Sequence, residues 1–119
     1  MNCALTVWPF KGPAEEFPVA FSYARELAEG ETIVSVLEVT VTVVSGVDAN
    51  PAAIKGSTPV IEGNQVRMFV RGGLPGVTYA LVCDVSTSAG QKLSRPAHLP
   101  VEVPERWNQY RRVINPTTT

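Results

Sequence analysis

Gly73-Leu74-Pro75-Gly76-Val77-Thr78-Tyr79, running on into Ala80-Leu81-Val82-Cys83-Asp84-Val85, is the stretch that decides the fold. Gly73, Pro75 and Gly76 make a tight crossover, because glycine reaches positive φ without a steric penalty and proline presets a turn. The strand that follows has a period of two. Val77, Tyr79, Leu81, Cys83 and Val85 share one face, and Thr78, Ala80, Val82 and Asp84 share the other. Tyr79 opens the strand with an apolar body and a polar tip, suited to capping that crossover. The alternative is an ordinary half-buried strand aromatic. Either way Gly73, Gly76, Tyr79 and Cys83 are structural residues. Cys83 is expected as a buried free thiol, because a disulfide to Cys3 would have to join a core strand to a chain end.

Working outward, Phe17, Val19, Phe21 and Tyr23 alternate in the same way, with Pro18 marking an edge strand or a strand start. Ala24 to Glu29 could form a short helical turn, ended by Gly30. Thr32 to Val44 is rich in β-branched residues, which lose rotamer freedom in a helix. Leu37, Val39, Val41 and Val43 are expected on one face there, with Glu38, Thr40 and Thr42 on the other. Ser45-Gly46 and Asp48-Ala49-Asn50-Pro51 are turn signals. Gly63-Asn64 joins Pro59–Glu62 to Gln65–Arg71 as a two-residue hairpin. Lys92 to Val103 returns after Ser88-Ala89-Gly90, and Pro96 and Pro100 predict an edge strand or a broken one.

These elements describe an all-β protein: an immunoglobulin- or fibronectin III-like antiparallel β-sandwich of about seven strands with extended N- and C-terminal arms. The Gly73–Tyr79 string resembles the entry to the F strand of fibronectin type III domains, which reinforces that reading. The expected boundaries are residues 1–16 for the N-terminal arm, 17–103 for the sandwich and 104–119 for the C-terminal arm.

Composition removes several function classes. The chain has 119 residues and a net charge of −1. It lacks the basic excess with which nucleic-acid binders neutralise phosphates, so no nucleic-acid partner is expected. No apolar run approaches the ~20 residues of a membrane span, so no membrane partner is expected either. Met1 to Phe10 does not read as a secretory signal, and Met1 favours an intact product made in the cytoplasm. The one near match to a glycosylation acceptor, Asn115-Pro116-Thr117, is spoiled by its proline.

Catalytic and cofactor chemistry finds no foothold. His98 is the single histidine, and one His with two distant Cys makes no metal site. A Cys83–His98 nucleophile pair would need the thiol to leave the core and has no third, orienting group. Arg71-Gly72-Gly73-Leu74-Pro75-Gly76 lacks the Gly-Lys-Ser/Thr ending of a phosphate loop. Glu15-Glu16 and Glu29/Glu31 match no calcium loop and read as solvated turn charges. The chain is therefore expected to be non-enzymatic and to need no cofactor.

Binding residues are instead expected on the arms. Trp8 and Phe10 stand in a proline-flanked segment, and Arg106, Trp107, Tyr110, Arg111 and Arg112 cluster near the C-terminus. Aromatics and arginines are the types enriched in interface hot spots. Each arm either docks on a partner or folds back over its own sandwich. The two outcomes balance for the N-terminal arm, and docking is favoured for the C-terminal one. The prolines on the strand edges argue against strand addition as the binding mode.

A wider pattern accompanies these residues. Trp8-Pro9-Phe10-Lys11 is followed by Phe17 to Tyr23 and by Leu27-Ala28-Glu29-Gly30-Glu31-Thr32-Ile33-Val34-Ser35. Arg71-Gly72-Gly73, Gly76-Val77-Thr78-Tyr79, Val85-Ser86-Thr87-Ser88-Ala89-Gly90-Gln91 and Arg95 complete it. This order resembles a family of small tailed-phage virion proteins, described as fiber–tail adaptors or minor structural proteins. The segment around Glu38 lacks an aromatic expected from that family, and residues 104–119 have no counterpart in it. The resemblance implies a structural protein of the virion, in the tail or head–tail region, joining tail fibers or tailspikes to the tail. Its implied partners are a tail adaptor or connector, a fiber or tailspike, and further copies of itself in a symmetric assembly. Capsid decoration is the alternative within the same resemblance. A cellular adhesion or carbohydrate-binding module is the alternative outside it.

Overall fold

The computed structural model of the chain describes residues 6–102. Seven strands form over them: β1 (Thr6–Val7), β2 (Phe17–Ser22), β3 (Ile33–Ser45), β4 (Val60–Glu62), β5 (Gln65–Val70), β6 (Thr78–Thr87) and β7 (Lys92–Pro100). They make two sheets, one in the order β1-β7-β6-β3 and the other β2-β5-β4. The architecture is a β-sandwich. Its pairs are antiparallel except β1 with β7, which run parallel. A short 3-10 turn, Pro51–Ile54, sits between β3 and β4 and buries Ile54.

The core is the sum of the inward faces. Val19, Phe21 and Tyr23 from the β2 side, with Val66, Met68 and Val70 of β5, close over Tyr79, Leu81, Cys83, Val85, Ala97 and Leu99. Each large aliphatic side chain removed from water contributes about 1.5–3 kcal/mol. β6 carries the most regular pattern, with every second residue from Tyr79 to Thr87 buried. The Gly63-Asn64 hairpin also forms as expected, with Glu62 opposite Gln65 and Gly63 at φ +63°. Positive φ at the first central position alone defines the type II′ turn that suits strand twist.

β3 departs from its expected pattern. Val39 and Val41 are buried, but Leu37 is 50% exposed. The pairing with β6 slips three times, between Ile33 and Ser35, between Val36 and Glu38, and between Val43 and Ser45. Each slip is a β-bulge, in which one extra residue is left without a partner and the alternation resets. The extra residues are Val34, Leu37 and Val44, and all three are exposed. The bulge at Leu37 hands the inward position to Val36, which packs on the core.

β7 is also not the strand its prolines suggested. It is unbroken from Lys92 to Pro100 and lies between β6 and β1. Trp8 N–H donates to the His98 carbonyl and Lys11 N–H to the Pro100 carbonyl, both at 2.9 Å. Even-numbered backbone groups of β7 therefore point away from β6. Pro96 and Pro100 occupy those positions, so neither removes a donor from the β6 ladder.

Candidate protein-binding surfaces

The Gly73–Tyr79 corner builds one end of the sandwich. Tyr79 is fully buried, and its hydroxyl accepts from Leu74 N–H at 2.8 Å and donates to Asp48 Oδ2 at 2.6 Å. The loop after β3 is thereby tied to the loop before β6. Asp48 Oδ1 also accepts from Asn50 N–H, and the Tyr79 hydroxyl, ahead of that bond, holds the Asp48 carboxyl below its usual value. Burial pushes the Tyr79 phenol up. Gly73 lies at φ +95°, and a Cβ there would sit 2.9 Å from Val101 Cγ2 and 3.0 Å from Ile54 Cδ1. No side chain fits that backbone. Gly76 N–H donates to the Val101 carbonyl at 2.8 Å, fastening the corner to the end of β7.

The N-terminal segment joins the same end. Trp8 is half-buried, its ring edge-on to Phe21 with centroids 5.3 Å apart, so it covers the sandwich. Phe10 is 54% exposed. Between them and the corner stands a residue that sequence reasoning passed over. Lys11 is completely buried, and its ammonium donates to the Gly12 carbonyl at 2.8 Å and the Gly72 carbonyl at 2.7 Å. Burial holds that ammonium below the usual lysine value, against the opposing pull of Glu15 and Glu16. The Lys11 backbone bridges to β7 as well, since its carbonyl accepts from Glu102 N–H. Residues 6–12 thus run along β7 as part of the sandwich, where an arm was expected up to residue 16. Nothing in the type or spacing of Lys11 signals this, apart from its place in Trp8-Pro9-Phe10-Lys11.

The opposite end is held by polar groups. Glu31, expected to be solvated, accepts from Ala28 N–H, Gln91 Nε2 and the Thr87 hydroxyl. The Thr87 hydroxyl is the chief cause that holds its carboxyl below the usual range. Nearby, Glu26 and Arg95 form an ion pair at 3.5 Å, with side chains only 10% and 13% exposed. Tyr23 donates its hydroxyl to the Cys83 carbonyl and so links the two sheets, while burial pushes its phenol up.

Cys83 is a free, fully buried cysteine whose thiol is pushed up by burial, a setting that suppresses reactivity. His98 pairs with Ala80, whereas Cys83 pairs with Arg95. The two therefore fall on opposite faces of the sheet and form no nucleophile pair. Among the described residues no group of three or more His, Cys, Asp or Glu could hold a metal ion. Two open grooves lie on the flanks. One of about 480 Å³ runs over Pro18, Val60 and Phe69, and one of about 390 Å³ runs between Leu37 of β3 and Ile61 of β4. Arg106, Trp107, Tyr110, Arg111 and Arg112 lie outside the described residues.

What emerges is a small β-sandwich with a closed core, most of whose exposed apolar side chains lie at the bulges of β3, in loops and on the outer faces of β4 and β5, which is the form of a structural scaffold. A family model described as podophage GP4 fiber-tail adaptor protein gp77 matches residues 11–100. The chain belongs to this family of phage fiber–tail adaptors. Membership gives it a structural role in the virion, in contact with other virion proteins. The match opens at Lys11 and closes at Pro100, so it spans the sandwich and leaves out Trp8, Phe10 and residues 101–119. No curated protein matches the chain. Among the described residues no helix is long and apolar enough to cross a membrane.

Proposed function

We propose that this chain joins tail fibers or tailspikes to the tail, acting by binding alone and without a cofactor. The family match across the sandwich carries this reading. Further support comes from the chemistry of the interior, where Lys11, Tyr23, Tyr79 and Cys83 are all committed to holding the fold. The sandwich is read as immunoglobulin- or fibronectin III-like, supported by the Tyr79 corner and by the seating of β1 beside β7. In this reading the sandwich is the scaffold, and the residues outside the family match make the contacts. The C-terminal cluster of Arg106, Trp107, Tyr110, Arg111 and Arg112 orders against a neighbouring virion protein.

The test is a phage in which the coding region is interrupted. Particles are expected with filled heads and tails but without fibers, and labelled protein supplied in trans should appear at the tail in a count that matches tail symmetry. A count in the hundreds, spread over the head, would replace the adaptor with capsid decoration. Normal fibers on particles that lack the protein would remove the adaptor role altogether.

A further inference from the structure

Among the described residues the sandwich has four outer strands, β1 and β3 in one sheet and β2 and β4 in the other. An outer strand offers backbone groups with which a further strand can pair. Two of the four are short, β1 with two residues and β4 with three. β2 is blunted by Pro18. Tyr23 N–H donates to the Asn64 carbonyl, so odd-numbered groups of β2 face β5 and Pro18 stands at an outward position, where it removes a donor.

β3 carries no such device in its own sequence. It is long, rich in β-branched residues and free of proline. Its outward groups follow from the pairing of its neighbours. Even-numbered groups of β7 point away from β6, so the odd-numbered groups of β6 are spent on β7. The even-numbered groups of β6 therefore bond to β3, at Glu38, Thr40 and Thr42. Val39, Val41 and Val43 turn their N–H and C=O outward. They lie in Glu38–Val43, the longest stretch of β3 between bulges. At ~3.3 Å per residue it spans about 20 Å, enough to seat a strand.

One side chain from the other sheet closes this edge. Lys55 bridges to Val70 of β5, and its place is held by its own N–H on the Ala52 carbonyl and by Gly56 N–H on the Phe69 carbonyl. From there the ammonium crosses to β3 and donates to the Val39 carbonyl at 3.0 Å. It takes the acceptor that the N–H of an added strand would need. The Leu37 bulge interrupts the edge beside the same point.

We propose that Lys55 guards the β3 edge, keeping any further strand from pairing with Glu38–Val43. A strand arriving there must break a charge-assisted hydrogen bond and strip water from an exposed ammonium. The guard is independent of the adaptor reading, since it concerns what the sandwich refuses rather than what it joins.

Substitutions in the full-length chain test it. Lys55→Met keeps the apolar stem and removes the charge and the donor, whereas Lys55→Arg keeps both. Each is compared with the unaltered chain by analytical ultracentrifugation and by amide hydrogen exchange. Lys55→Met is expected to associate about tenfold or more tightly than the unaltered chain, which is what one charge-assisted hydrogen bond counts for in an equilibrium. The Val41 and Val43 amides should exchange fast in the unaltered chain and become protected in associated Lys55→Met. The Leu81 amide, paired with Ala97, should stay protected throughout. Lys55→Arg should match the unaltered chain. Equal association in all three proteins overturns the proposal. So does association of Lys55→Met with Val41 and Val43 still exchanging fast, or protection of those amides already present in the unaltered chain. If Leu81 loses protection in Lys55→Met, the variant has unfolded, and Lys55→Thr, a strand former too short to reach Val39, decides by the same readouts.

Discussion

β6 and β3 lie side by side, are both rich in β-branched and aliphatic residues, and behave differently. β6 is flanked on both sides and alternates without a fault over its ten residues. β3 is the outer strand of the same sheet and breaks step three times. Hydrogen bonding on two sides leaves a central strand no room for an extra residue. An outer strand can eject one at the cost of a local twist. A period-two pattern is therefore a sound guide to which side chains face the core in a central strand. In an outer strand it holds only between bulges.

The difference can be broken most severely from the β6 side. Leu81→Ala removes a fully buried side chain opposite Val41 and should cost about 2–5 kcal/mol, read as a lowered urea midpoint. A loss below about 1 kcal/mol would mean that the core can collapse around the gap. A smaller effect is expected where the two strands are tied together by the Tyr79–Asp48 bond. Tyr79→Phe leaves Leu74 N–H and Asp48 without their shared partner and should cost about 1–3 kcal/mol at neutral pH. The folded-state pKa values of Asp48 and Glu31 are depressed, so their contribution is present above the ordinary carboxylate range and is lost as pH falls through and below it. Thermal midpoints should therefore drop on acidification, and the drop should shrink in Tyr79→Phe; an equal drop in both proteins would assign the effect elsewhere. The smallest effect belongs to the bulge. Leu37→Ser should change stability by no more than about 0.5 kcal/mol, because that side chain already faces water. A loss as large as that of Leu81→Ala would show that the bulge residue is packed.

The same contrast separates what is legible in the amino-acid sequence from what is not. The β6 alternation, the Gly63-Asn64 turn and the Gly73–Tyr79 corner are local patterns with one physical solution each. The exposure of Leu37 was not readable, since a bulge depends on where neighbouring strands end. The place of Pro96 and Pro100 was misread because their parity relative to β1 is a matter of pairing partner. Lys11 was silent for a deeper reason. Its burial needs the Gly72 carbonyl, which is far along the chain and has no side chain to advertise it. Of the residues expected to bind partners, Trp8 is placed against Phe21 and Phe10 at the surface. Arg106, Trp107, Tyr110, Arg111 and Arg112 fall outside the described residues.

Lys11 has one more consequence, for the chemistry of labelling. The chain has three lysines, Lys11, Lys55 and Lys92. An amine must be unprotonated and accessible to be acylated. Lys92 is exposed at the start of β7, and Lys55 is exposed but spends its ammonium on the Val39 carbonyl. Lys11 is sealed away. Amine-directed cross-linkers applied to assembled particles would therefore report distances from Lys92 first, at the far end of the sandwich from the corner. Acylation of Lys11 would instead time-stamp every opening of the N-terminal segment, making that buried side chain a built-in clock for detachment.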